Sequence, residues 1–179
     1  MYLYHHSSNR TIIYVRLQYH SGFRHQVQSW PSNPVSHYIS QLSSYPQNTI
    51  IADLGCGDAT LARGLLPKKL RVLSFDLISD GAYIVAADIC SHVPLPGSEP
   101  SSSQMSEGEA QVVDVVVCAL SLMGTNWPVC IREAWRVLKP GYVLRCHIIS
   151  GVLNPIQGGV ENCGSCQSLY RRGRIRVVN

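Results

Sequence analysis

The chain has 179 residues, of which 45% are hydrophobic and 15% charged, with a formal net charge of +4. That length suits one domain with a sizeable core, and no apolar run approaches the ~18 residues of a membrane-spanning helix. The mild positive charge permits a nucleic-acid partner without requiring one. The first residues lack the basic-then-apolar order of a secretory signal. The seven cysteines (Cys56, Cys90, Cys118, Cys130, Cys146, Cys163 and Cys166) are odd in number. Without an export signal they are expected as reduced thiols of the cytosol or nucleus. Cys163 and Cys166 have a redox or half-zinc spacing, but no second pair completes a site, so no metal is expected.

Residues 1–18 mix polar and aromatic side chains without a clear period and receive no assignment. Pro34 suits the first turn of a helix predicted over 35–43, with Val35, Tyr38, Ile39 and Leu42 on one face. The first predicted strand, 49–54, carries one acid, Asp53, and breaks at Gly55 and Gly57. A second helix follows over 59–66 and stops near Pro67. Strand, glycine turn and helix form the first βα unit of a nucleotide-binding α/β sheet. The glycines let backbone approach a ligand, and the helix start offers unpaired N–H groups.

Thr60 stands where a dinucleotide fingerprint has its third glycine. That glycine serves close packing in sites holding a pyrophosphate, and Asp53 would repel such a group. Both features favour a phosphate-free methyl donor, S-adenosylmethionine, over NAD, with Asp53 facing its ammonium end. The second strand, 70–75, ends on Asp76, where a ribose hydroxyl pair is held in such sheets; the alternative is a strand-end cap. The third strand, 83–87, ends at Asp88, placed to accept from an adenine amino group, with Ile89 on the purine face.

Residues 97–111 are rich in Ser, Glu and Gly and read as a flexible surface insertion. The fourth strand, 112–120, is apolar apart from Asp114, as in a parallel sheet covered on both faces. Residues 121–126 follow at its carboxyl end, where the ligand crevice of an open α/β sheet lies. A helix is predicted over 127–138, broken by Lys139-Pro140-Gly141, and a fifth strand over 142–149. Beyond Ser150 no period is sustained. Arg171, Arg172, Arg174 and Arg176 read as a solvated tail ahead of an RNA contact.

Several stretches together carry a resemblance. They are Gly22-Phe23-Arg24-His25-Gln26-Val27-Gln28-Ser29-Trp30-Pro31, Asn33-Pro34-Val35, Ala52-Asp53-Leu54-Gly55-Cys56-Gly57-Asp58 and Ser74-Phe75-Asp76-Leu77. Further along are Asp88, Val93-Pro94-Leu95, Asp114-Val115, Leu120-Ser121-Leu122-Met123-Gly124-Thr125-Asn126 and Arg136-Val137-Leu138-Lys139-Pro140-Gly141. Over residues 19–149 the chain resembles the ribosomal RNA-processing protein 8 (nucleomethylin) family. The resemblance implies an α/β fold, a Rossmann-like class I methyltransferase sheet, here truncated after the fifth strand. It implies a methyltransferase domain over 19–149, an unassigned segment 1–18 and an irregular basic tail 150–179.

The implied activity is S-adenosyl-L-methionine-dependent methylation of adenine N1 in large-subunit (25S/28S) rRNA, in ribosome biogenesis. The implied setting is the nucleus and nucleolus, as a monomer without membrane attachment; some family members associate with chromatin. Donor contacts carried over position by position fall on His20, Gly55, Asp76, Asp88, Ile89 and Ala119, alongside Asp53 and Gly57 of the glycine turn. His20 taken alone is an ordinary surface histidine, and Ala119 stands where the family has cysteine. Thr125 and Asn126 are candidates for reading the substrate base; Asn126 serves equally as the cap of the next helix. Tyr142, the 97–111 insertion and the two ends depart from the family pattern. The tail beyond Ser150 supports an alternative, a catalytically inactive SAM- or RNA-binding remnant of the family, and a further rival keeps the fold and acts on a small molecule or a protein.

Overall fold

A computed structural model of the chain describes residues 33–79, 82–97, 111–122, 125–147 and 175–178. In chain order the elements are α1 (Pro34–Leu42), β1 (Ile50–Leu54), α2 (Thr60–Leu65), β2 (Arg71–Asp76), β3 (Ile84–Ala86), β4 (Val113–Ala119), α3 (Trp127–Val137), β5 (Leu138–His147) and β6 (Ile175–Val178). The strands form one sheet in the order β3-β2-β1-β4-β5-β6, parallel at every pairing. The sheet is therefore Rossmann-like, as the glycine turn implies.

Helix α1 begins where the sequence places it. Asn33 Oδ1 accepts the Val35 N–H at 2.9 Å, and Pro34 fills a first-turn position, where its missing N–H costs nothing. Tyr38 and Leu42 are buried and Val35 and Ile39 pack beside them, so the expected face is the real one. Gly64 of α2 lets the two helices meet, because a Cβ there would lie 2.4 Å from Ile39 Cδ1.

Alternation along the strands sends side chains to two covered faces. Ile51, Val115 and Val117 pack with Tyr38, Leu42, Leu61 and Leu65 of α1 and α2. Ala52, Leu54, Val116 and Cys118 pack with Cys130, Ile131, Ala134 and Val137 of α3. Each fully buried Val or Leu in these layers contributes about 1.5–3 kcal/mol. Cys118 and Ala119 thus face opposite ways: the Cys118 thiol lies in the core, so it does not replace the cysteine missing at position 119.

Two differences from the sequence reading concern the last strands. Strand β5 starts at Leu138, directly from α3, and not at Tyr142. Leu138 pairs with Val113 and Val143 pairs with Val115, so residues 139–142 bulge past Asp114, with Gly141 at φ 85° making the bend. The break signal at Lys139-Pro140-Gly141 is real, but it interrupts a strand. Asp114 closes this end of the sheet: its Oδ1 accepts from Lys139 Nζ at 2.7 Å and its Oδ2 from the Ile50 N–H at 2.8 Å. The second difference is β6. The sequence reading ends the sheet at five strands and leaves residues 150–179 irregular. Yet Ile175–Val178 pairs along β5 from Leu144 to His147. The arginines at 171, 172, 174 and 176 make this run read as a charged tail, which hides the strand.

Candidate functional site

The crevice is built at the carboxyl ends of β1, β2, β3 and β4. Gly55, Gly57 and Ala59 have φ of 75°, 57° and 55°, which winds the chain sharply from β1 into α2. The Gly55 and Cys56 N–H groups both donate to Phe75 O, at 2.8 and 3.1 Å, pinning the turn to the end of β2. A Cβ on Gly55 would lie 2.4 Å from Ser121 Cβ and 3.5 Å from Ile89 Cδ1. Gly55 is therefore required by close approach, and it brings Ile89 and Ser121 together. A Cβ on Gly57 would meet nothing within 4 Å. That side of the turn is open among the described residues, and a ligand can reach the backbone there.

The acids expected at the strand tips divide into three environments. Asp76 is buried and its Oδ2 accepts the Gly57 N–H at 2.9 Å. The acid of the second strand therefore lands on the glycine turn. Asp88 lies two residues beyond Ala86, which pairs with Asp76 across β2 and β3. It is exposed, and its Oδ1 accepts the Cys90 N–H at 2.9 Å. Asp53 sits inside β1, between Ser74 of β2 and Val117 of β4, with 3% of its surface exposed. Among the described residues no basic group pairs with it. Burial, and secondarily the nearby Asp76 carboxylate, raise its pKa to about 7. Burial together with Asp53 and Asp76 pushes the Cys56 thiol up as well, so Cys56 stays protonated and is no nucleophile.

Ser121 is the residue that sequence reasoning missed. It follows Leu120, whose φ of 65° turns the chain sharply at the tip of β4. Its hydroxyl is buried and has no hydrogen-bond partner among the described residues. The family-like run 120–126 contains it, yet nothing in the run marks a serine as different from its neighbours. Ala119, half-buried, ends β4 beside it. Thr125 and Asn126 are exposed immediately before α3. Asn126 occupies the cap position, but its side chain makes no capping bond; only its carbonyl accepts, from the Val129 N–H at 2.9 Å. The capping alternative for its amide is thus not realised. His20, the Met123-Gly124 pair, the Cys163–Cys166 spacing and most of the 97–111 insertion lie outside the described residues. Among the described residues no His, Cys, Asp and Glu cluster could hold a metal ion.

The structure brings together Gly55, Gly57, Asp76, Ile89 and Ser121, with Asp53 beneath and Asp88 at the neighbouring strand tip. Three features test whether an adenosyl sulfonium fits. The open flank of Gly57 admits a ligand to the backbone. Among the described residues the Ser121 hydroxyl lacks a partner, which a ligand would supply. Among the same residues the buried Asp53 lacks a cation, which a ligand ammonium would bring. All three favour the fit.

Comparison with known proteins places the chain in a family. A family described as hypothetical methyltransferase matches residues 3–160. A 25S rRNA (adenine(645)-N(1))-methyltransferase of Schizosaccharomyces pombe is 40% identical over 135 residues, covering 70% of this chain and 38% of its own length. Ribosomal RNA-processing protein 8 of Arabidopsis thaliana is 36% identical over 143 residues, covering 80% of this chain and 44% of its own. The protein of that name in Dictyostelium discoideum is 44% identical over 128 residues, covering 72% and 29%. The chain therefore spans less than half the length of these relatives. Among solved structures, 1,6-didemethyltoxoflavin-N1-methyltransferase of Burkholderia thailandensis aligns with a TM-score of 0.50 at 11% identity, over 78% of this chain and 61% of that one; the likeness is one of fold. Matched over most of its length, the chain belongs to this methyltransferase family, with relatives named ribosomal RNA-processing protein 8.

Proposed function

We propose that the chain binds S-adenosyl-L-methionine in the strand-tip crevice and methylates N1 of an unpaired adenine in large-subunit rRNA, in the nucleolus, during ribosome biogenesis. The observation that carries this reading is the Asp76 carboxylate set on the Gly57 N–H beside an open glycine flank. It stands in a chain similar to a relative whose name specifies adenine N1 of 25S rRNA. In this reading Asp76 holds the ribose hydroxyls, Asp88 accepts from the purine amino group and Ile89 covers the purine face. Gly57 and Ala119 leave room for the donor, and Gly55 lets Ser121 and Ile89 close in beside it. Asp53 meets its ammonium, and the family resemblance adds His20 as a further donor contact.

The donor supplies a methyl group on a sulfonium, an excellent leaving group. Adenine N1 already carries a lone pair, so the protein has no proton to remove. Its work is alignment and exclusion of water. The product base is cationic, and the acids around the crevice favour that charge as it develops. N1 lies on the Watson–Crick edge, so the base must leave its helix to be reached. The Asn126 amide, exposed and unused as a cap, stands ready to pair with that edge beside Thr125.

The test is tritium transfer from labelled donor to a large-subunit rRNA fragment, with donor binding measured in parallel. Asn126→Ala should abolish transfer and leave donor binding within about twofold, the pattern of a group used only with the acceptor. Equal loss of both would assign Asn126 to folding. Wild-type binding without transfer to any rRNA fragment would favour the donor-binding remnant.

A further inference from the structure

Helix α3 carries Thr125 and Asn126 at its amino end and two buried charges, Glu133 and Arg136, in its second half. These charges do not face the crevice. They reach 40 and more residues back along the chain, to the strap that follows Asp88. Arg136 Nη2 donates to Val93 O at 2.8 Å, and Nη1 donates to Leu95 O at 2.9 Å. Glu133 Oε1 accepts the Val93 N–H at 2.6 Å. The carboxylate is itself gripped by Arg136, through Nη2 at 2.7 Å and Nε at 2.8 Å. The pair thus holds both polar groups of Val93. A Cβ on Gly97 would lie 2.5 Å from Arg136 Nη1, so the strap crosses the guanidinium with no room for a side chain.

Upstream of Val93 the strap has little slack. Asp88 Oδ1 accepts the Cys90 N–H, and Asp88 O accepts the Ser91 N–H at 3.0 Å. Ile89 and Cys90 rest on the same core layer as Cys130 and Ala134 of α3. Only His92 separates this turn from the clamped Val93. A buried ion pair is an inefficient way to stabilise a fold, since an apolar pair of similar volume often does as well. What an apolar pair cannot do is aim a planar fork at two carbonyls and a carboxylate.

We propose that Glu133 and Arg136 are positioning residues for the purine end of the donor site. By clamping the 93–97 strap they set Asp88 and Ile89 where the adenine amino group and ring face are read. The proposal rests on the assignment of Asp88 and Ile89 as purine contacts. It also makes α3 a single rigid link between the acceptor-reading Asn126 and the donor's base.

The test is a pair of calorimetric titrations of the full chain, with S-adenosylhomocysteine and with S-inosylhomocysteine, in which oxygen replaces the purine amino group. Wild type should prefer adenine by about tenfold, because the analogue sets an oxygen against the Asp88 carboxylate. Arg136→Met leaves Glu133 buried with only the Val93 N–H and, at 3.9 Å, the exposed His92 beside it, and should melt early. Glu133→Met/Arg136→Met removes the stranded charge and should melt above Arg136→Met, below wild type because Val93 and Leu95 lose their partners, and keep no more than about twofold preference. Arg136→Lys keeps the charge beside Glu133 and loses the fork; it should fold and show the same loss of preference. Wild-type preference in either folded variant would overturn the positioning role while leaving the purine assignment intact. Absence of preference in wild type would remove the assignment of Asp88, and the proposal with it.

Discussion

The two ends of this parallel sheet treat buried carboxylates in opposite ways. At the amino end, Asp114 is fully engaged, by Lys139 Nζ on one oxygen and the Ile50 N–H on the other. It ties three strands together and leaves nothing for a ligand. At the carboxyl end, Asp53 is buried without a described cation, Ser121 is buried without a described partner, and Gly57 has an open flank. Buried polar groups are ordinarily satisfied, so among the described residues the second arrangement is the one with partners still to be supplied. The contrast teaches where to look: the end that stabilises the fold is closed, and the end proposed to hold the donor keeps buried polar groups without described partners.

Asp53→Asn should break the contrast most strongly. Its folded pKa of about 7 lies above the ordinary 3.8. Below about pH 4 the carboxyl is protonated whether the chain is folded or not, and the substitution changes little. Between about pH 4 and 7 the unfolded chain ionises and the folded one resists, so wild-type stability falls as pH rises. At pH 8 the asparagine variant should therefore be the more stable, by on the order of 4 kcal/mol at most, read from urea midpoints at the two pH values. The same variant should bind the donor more weakly. Conversely, wild-type donor affinity should rise by about tenfold from pH 5.5 to 7.5, because the donor's ammonium needs the ionised acid.

Asp76→Ala should lower donor affinity by about 100-fold, since a charged acceptor is lost from both the Gly57 amide and the ribose. Its melting temperature should stay within a few degrees of wild type. Asp114→Ala should give the mirror image: about 2 kcal/mol of stability lost, discounted because Lys139 is one-third exposed, with donor affinity of the folded fraction unchanged. A Lys139→Met variant should behave alike. Smallest is Ser121→Ala. Removing a hydroxyl with no partner among the described residues should leave stability unchanged or raise it by up to about 1 kcal/mol, while donor affinity falls severalfold.

Much of this was legible in the chain itself. The apolar runs, the glycine pair and the acids ending the second and third strands are local signals, and each maps onto one element or one turn. Asp76 could be placed because strand length and the turn fix where a strand tip falls. What could not be read depends on contacts between distant residues. Arg136 sits in a helix whose period is ordinary, and its partners Val93 and Leu95 lie 43 and 41 positions away. Ser121 differs from its neighbours only because Gly55 comes within van der Waals reach. Asp114 looks like an interruption in a valine run until Lys139, thrown out by the bulge, meets it. The arginines around β6 make it read as a charged tail, and its place beside β5 follows from pairing alone.

The most direct measurement is calorimetric titration of S-adenosylhomocysteine into the full chain and into the Asp76→Ala and Asp114→Ala variants, at pH 7.5. The expected result is saturable binding to wild type, the same affinity in folded Asp114→Ala, and a loss of about 100-fold in Asp76→Ala. Equal binding by all three proteins, or none by wild type, would contradict the assignment of the strand-tip crevice to an adenosyl donor.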